Sequence, residues 1–182
     1  MSVHLCAKTG GESTMAILKS LKDNLIDLHL DRVWDGIEEP EEGFTPNQLD
    51  DLKQRTLRTL ADLLCRAGCV GNKNKLFTDL YNREKQQTTA IGMGIAFPHV
   101  RTMQVRQFVA AIGRSDRGIP FDAPDGQPVH LFFVMAAPPY DDKSYLRAYK
   151  SLATALRYDT VRQALTEARE AHEIVLVLRH NI

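Results

Sequence analysis

The run Val129-His130-Leu131-Phe132-Phe133-Val134-Met135-Ala136-Ala137, closed by Pro138 and Pro139, is almost continuously apolar. A half-exposed strand would alternate apolar with polar residues, so an unbroken run ended by prolines predicts a strand buried on both faces. Such a strand belongs at the centre of a sheet that is covered above and below. His130, close to its start, reads as a strand-end residue rather than a ligand.

Downstream, Asp141, Asp142 and Ser144 offer caps for a helix through about Tyr158, with Leu146, Tyr149, Leu152, Ala153 and Leu156 on its apolar side. A further helix is expected over about 160–171, and the β-branched stretch 173–178 reads as a last strand. Upstream, residues 118–127 are rich in Pro, Gly and Asp and read as a loop, 114–117 as a charged turn and 108–113 as a strand. Earlier still, Thr45, Pro46 and Gln48 form a helix start: a hydroxyl cap, proline at the first helical position and a capping-box partner three residues after the cap. That helix should run to about Ala67, burying Leu49, Leu52, Leu57, Leu60, Leu63 and Leu64, with Gly68 as its stop. A shorter helix over about 74–83 turns Leu76, Phe77, Leu80 and Tyr81 inward and carries Arg83 at its end. Residues 25–28 read as a first strand after a short helical turn. Strands separated by helices predict an α/β fold: a single mixed β-sheet flanked by helices on both faces.

The 182 residues are 43% hydrophobic, enough for one domain with a substantial core. Basic and acidic residues balance at 23 each, which leaves no global electrostatic footprint for nucleic acid or an anionic membrane surface. The longest strongly apolar run, 131–137, falls far short of the roughly 20 residues of a membrane helix. With no hydrophobic signal core at the start, the protein is expected to be cytoplasmic, without membrane insertion. Cys6, Cys65 and Cys69 form no C-x-x-C pair, and the six histidines form no cluster, so neither a disulfide framework, a metal site nor a cofactor is expected. Cys65 and Cys69 read as small core residues. Residues 1–14 lack apolar periodicity and are expected to form a mobile tail, the domain occupying 15–182. Within it, 31–44 is an acidic connector holding Glu38, Glu39, Glu41 and Glu42, with Trp34 and Phe44 expected to tuck onto the domain.

The chemistry concentrates in residues 83–101, R-E-K-Q-Q-T-T-A-I-G-M-G-I-A-F-P-H-V-R. His99 follows Pro98 at the end of a short apolar run. A neutral imidazole is a good nucleophile near neutral pH, its reference pKa being about 6.5. A phosphoryl group in transfer needs donors around its equatorial oxygens, and Arg83 with the threonine hydroxyls can supply them. Gly92 and Gly94 allow close backbone approach, while Pro98 fixes the approach to His99. A structural histidine at the end of an apolar strand explains the same residues equally well.

The segment resembles the signature of the enzyme IIA domains of the fructose and mannitol class of the sugar phosphotransferase system, including their nitrogen-regulatory branch. The matching residues are Arg83 and Glu84, Thr88 and Thr89, then Gly94, Ile95, Ala96, Phe97, Pro98 and His99, and the resemblance extends from about residue 16 to the C-terminus. It implies a mixed-sheet IIA fold and a phosphohistidine carrier accepting a phosphoryl group on His99 from an HPr-type carrier protein. A IIB component or a regulated protein would be the next partner. The connector 31–44 is longer than the family's usual segment and reads as an insertion. The family's second histidine, which begins an H-L pair after the central strand, is replaced here by Tyr145 before Leu146, so a neutral hydroxyl stands where a chargeable ring would be. The expected roles are His99 as nucleophile, Arg83 as clamp, Thr89 as orienting hydroxyl, Tyr145 as neutral donor, and Gly94 and Pro98 as phosphate-site backbone. The substitution at Tyr145, the acidic insertion and the lack of a fused IIB or membrane domain favour regulation over bulk sugar transport. The alternative is a regulatory binding module of the same fold that has lost phosphotransfer. A histidine-dependent hydrolase would need a carboxylate near His99, and Glu84, the only acidic residue of the motif, is expected to pair with a basic neighbour instead.

Overall fold

The computed structural model describes residues 21–182. The expected tail, 1–14, and the turn expected from Ala16 fall outside the described residues or at their margin. Six strands, β1 (Ile26–Asp27), β2 (Ala90–Gly92), β3 (Ile95–Ala96), β4 (His99–Arg101), β5 (Val109–Ile119) and β6 (Val129–Ala137), form one sheet. The described helices are α1 (Pro46–Cys65), α2 (Lys73–Gln86), α3 (Asp142–Ala155), α4 (Asp159–Glu167) and α5 (Ala171–Asn181). The strand order is β1-β5-β6-β3-β2, with β4 also pairing β6. β5 runs antiparallel to β6 while β1 on β5, and β3 and β4 on β6, are parallel, so the sheet is mixed.

β6 is the central strand because both of its faces are covered. Phe132, Val134 and Ala136 pack with Leu60, Leu64, Leu76 and Leu80 of α1 and α2. Leu131, Phe133 and Met135 turn the other way, toward Ala148, Leu152, Leu165 and Ile174 of α3, α4 and α5. The two-residue side-chain period of a strand thus feeds two cores, and this is why the sequence shows no alternation there.

The helix ends follow local chemistry. Thr45 and Gln48 complete the capping box of α1, the Gln48 side chain accepting from the Thr45 N–H at 2.9 Å. Past the end of α1, Gly68 takes a φ of +73°, the left-handed conformation that glycine adopts at no steric cost. The Asn72 side chain caps α2 through the Lys75 N–H at 3.0 Å, and Asp141 caps α3 through the Ser144 N–H at 3.1 Å.

Several expectations are corrected. Residues 114–117 are no charged turn: β5 continues through them to Ile119, with an irregular register between Arg114 and Ile119. Their polarity is absorbed by specific partners, for the buried Arg114 donates to the Ala168 carbonyl and Ser115 donates to Asp31 at 2.5 Å. Residues 173–178 are helical, lying within α5. Ile174, Val175 and Leu178 recur at helical spacing on the buried face, Leu176 is exposed, and Glu170 and Glu173 form a capping box; packing on the sheet outweighs β-branched preference. Helix α3 stops at Ala155 rather than Tyr158, and Leu146 is exposed rather than on its apolar side. In the acidic connector, Leu30–Trp34 forms a 3-10 helix that buries Leu30, Val33 and Trp34.

Candidate functional site

β3 and β4 lie one after the other along the same edge of β6, interrupted at Phe97 and Pro98. Proline has no N–H to give to a ladder, and here the Phe97 N–H bonds the Thr89 carbonyl at 3.0 Å while the Pro98 carbonyl accepts from Met135 at 2.9 Å. The chain resumes as β4 with His99 opposite Met135, near the C-terminal end of β6. There α2, β4 and the first turn of α3 enclose an open cleft of about 960 Å³. Arg83, His99, Arg101 and Tyr145 all line it, together with Lys75 and Leu146.

Nδ1 of His99 lies 2.8 Å from the Phe97 carbonyl oxygen. A carbonyl only accepts, so Nδ1 carries the ring proton and Nε2 keeps its lone pair. Burial pushes the imidazole pKa down and the Arg83 charge adds to this, against the Phe97 carbonyl, which pulls upward. The ring is therefore neutral at pH 7. The Tyr145 ring stands against it at 4.9 Å between centroids, the planes inclined by 30°. Burial raises the Tyr145 phenol pKa, as does Tyr149, while Arg83 and Arg101 oppose the rise, so the hydroxyl stays a proton donor at neutral pH. Arg83, in the last turn of α2, is held by a bond to the Gln87 carbonyl at 3.0 Å.

The other three residues singled out from sequence lie elsewhere. Thr89 is buried outside the cleft lining, its hydroxyl donating to Glu84 Oε2 at 2.6 Å and its N–H to Oε1 at 2.9 Å. Glu84 is buried and its carboxylate is used in this way, not aimed at the imidazole. Gly94 sits in the turn between β2 and β3 at φ +71°, its carbonyl accepting from His130 and Leu131 at 2.8 and 2.9 Å. That places it toward the start of β6, away from His99. Pro98 is buried in the sheet and acts by setting where β4 begins. Sequence reasoning passed over Lys75 and Arg101. Lys75 precedes Arg83 by eight residues on one helix, and Arg101 follows His99 by two on an extended strand; both spacings put side chains on a shared face.

Among the described residues no group of three or more His, Cys, Asp and Glu is placed to hold a metal ion. Cys65 and Cys69 are partly buried free thiols whose pKa values burial pushes up, as inert small residues would show. No described helix is long and apolar enough to cross a membrane.

A mixed sheet covered on both faces, with a neutral imidazole in a cleft shared by two guanidinium groups, defines an α/β domain suited to bind an anion beside a histidine. Residues 42–181 match the family described as Phosphoenolpyruvate-dependent sugar phosphotransferase system, EIIA 2, and the chain belongs to that family. It is 36% identical over 123 residues to a nitrogen regulatory protein of Bradyrhizobium diazoefficiens, a match covering 66% of this chain and 80% of that one. A PTS system fructose-specific EIIABC component of Bacillus subtilis is 33% identical over 71% of this chain, which spans only 20% of that relative's length. The crystal structure of nitrogen regulatory protein IIA-Ntr from Neisseria meningitidis aligns with a TM-score of 0.72 at 28% identity, covering 89% of this chain and 98% of that one.

Proposed function

We propose that this domain is a cytoplasmic phosphohistidine carrier of a phosphotransfer system, taking a phosphoryl group on Nε2 of His99 from an HPr-type protein and serving a regulatory, nitrogen-type role. The observation that carries the reading is the Nδ1–H of His99 committed to the Phe97 carbonyl beside a cation-lined cleft. It leaves one nitrogen with a free lone pair. In the transfer, the P–N bond to the donor imidazole breaks as the Nε2–P bond forms, and the electron pair leaves with the donor nitrogen. No proton has to leave His99. The ring gains positive charge, and the Phe97 carbonyl opposite Nδ1–H stabilises it.

Arg83 binds the oxygens of the moving group as a charge-assisted donor, and Tyr145 offers a neutral hydroxyl bond. Thr89 acts one step removed, bracing Glu84 within the last turns of α2 that hold Arg83; Gly94 and Pro98 shape the strands that present His99. Because the chemistry is histidine to histidine, positioning does most of the work. The next partner is a IIB component or a regulated protein. Similarity to nitrogen regulatory proteins and the neutral Tyr145 favour the regulated protein.

The test is intact-protein mass after incubation with phosphoenolpyruvate, enzyme I and an HPr-type carrier. A gain of one acid-labile phosphate that His99→Ala abolishes is the expected result. No gain with competent carriers would move the function to a binding module that works without phosphotransfer.

A further inference from the structure

We propose that Arg101 is the second cation of the phosphoryl site, binding the phosphate on His99 together with Arg83. The inference rests on the phosphoacceptor reading above and adds to it a ligand that the sequence motif does not include.

The argument begins with strand geometry. β4 pairs in parallel with β6 through His99, Val100 and Arg101, opposite Met135, Ala136 and Ala137. Val100 packs against the core shared with α1 and α2. Its neighbours on an extended backbone project to the other side, where His99 meets Tyr145 of α3. His99 and Arg101 therefore share a face, their α-carbons about 7 Å apart, a gap that an arginine side chain spans. Both line the same cleft as Arg83 and Tyr145.

Electrostatics point the same way. The charges of Arg83 and Arg101 both act on the phenol of Tyr145, whose ring rests on His99. Both guanidinium groups thus lie near the ring that stands against the imidazole. Lys75, also in the cleft, lies eight residues from Arg83, about 12 Å along the helix axis, a wider separation than that of Arg101 from His99.

The donors that a phosphoryl group needs supply the reason. A phosphoryl group on nitrogen carries close to two negative charges near neutral pH, and Tyr145 brings none to offset them. The phosphorylated imidazole, which keeps its Nδ1 proton, and Arg83 each set one positive charge against them. A guanidinium on the same face of the strand as His99 offers further N–H donors to the equatorial oxygens.

The experiment labels wild type, Arg101→Gln and Arg101→Lys with phosphoramidate, whose P–N bond breaks as the Nε2–P bond forms and ammonia leaves. Titration of the phosphorus resonance by NMR then reads the last ionisation of the bound phosphoryl group. Loss of a neighbouring cation should raise that midpoint by about one pH unit in Arg101→Gln, with Arg101→Lys staying near wild type. Transfer from an HPr-type carrier should fall roughly tenfold in Arg101→Gln. Labelling of His99 with midpoints and rates equal in wild type and Arg101→Gln would overturn the role of Arg101 while leaving the carrier reading intact. Failure of phosphoramidate to label His99 in wild type would overturn both. Since the label is chemical, failure of a particular carrier does not affect the titration.

Discussion

The rings of His99 and Tyr145 lie 4.9 Å apart at an angle of 30°, so a phenol stands against one side of the imidazole. The contact has two separable parts, the ring that shields His99 from water and the hydroxyl that can donate to a phosphate oxygen. Tyr145→Phe keeps the first and removes the second. A hydrogen bond to a charged group contributes about 1.5–3 kcal/mol, so transfer to His99 should slow by at least tenfold with little change in thermal stability. Single-turnover transfer of labelled phosphate from the carrier measures this. An unchanged rate would remove the hydroxyl from the mechanism and leave Tyr145 a packing residue.

The His99 imidazole should titrate below its ordinary value near 6.5, because it is largely buried and faces the Arg83 charge. Arg83→Gln should move its midpoint upward, which NMR of the imidazole resonances reads directly. For stability the sign follows from proton counting. Between the native pKa and about 6.5 the unfolded chain binds more protons at this site. The site's contribution is therefore full above about 6.5 and is lost as pH falls through the lowered native value. Wild type should lose stability relative to His99→Gln across that window, measured by urea unfolding at a series of pH values. A difference independent of pH would contradict the burial argument.

Thr89→Val tests the placement of that hydroxyl. Glu84 is buried and accepts both the Thr89 hydroxyl and its N–H. Removing one donor from a buried carboxylate should cost about 1–3 kcal/mol, seen as a lower urea midpoint. Transfer by the folded protein should stay within a few-fold of wild type, since the hydroxyl is outside the cleft. Unchanged stability with a hundredfold loss of transfer would return Thr89 to direct contact with phosphate.

Legibility in the sequence followed the range of the interaction. The capping box at Thr45 and the doubly buried strand Val129–Ala137 are written in neighbouring residues, and the structure has both. Residues 114–117 misled because their partners, Asp31 and Ala168, are remote in the chain. The stretch within α5 misled because β-branched residues at 174, 175 and 177 fit a strand as well as a helix until the surface they pack on is known. In the site, Arg83, His99 and Tyr145 converge on one cleft, yet Thr89 and Gly94 lie outside its lining although they belong to the same motif. A motif records what holds the site as well as what faces it. Arg101 was passed over because its spacing, two residues beyond His99, means a shared face only once that segment is known to be extended.

The acidic connector yields the last prediction. Trp34 is 7% exposed, donates its indole N–H to the Gly118 carbonyl at 3.2 Å, and lies under the Arg117 guanidinium at 3.9 Å and beside Phe44 at 5.7 Å. The ring thus ties the segment before α1 to the end of β5. Trp34→Ala should cost about 3–5 kcal/mol, as removal of a buried large aromatic side chain does. By contrast, Glu38, Glu41 and Glu42 changed to Gln should each stay within about 0.5 kcal/mol. Glu39 pairs with Arg117 at 3.4 Å with both side chains well exposed, so its loss should also be small. Urea unfolding of the five variants separates the two classes. If Trp34→Ala were as stable as wild type, the ring would not be anchoring the connector, and a partner contact would become the better account of an aromatic residue within an acidic segment.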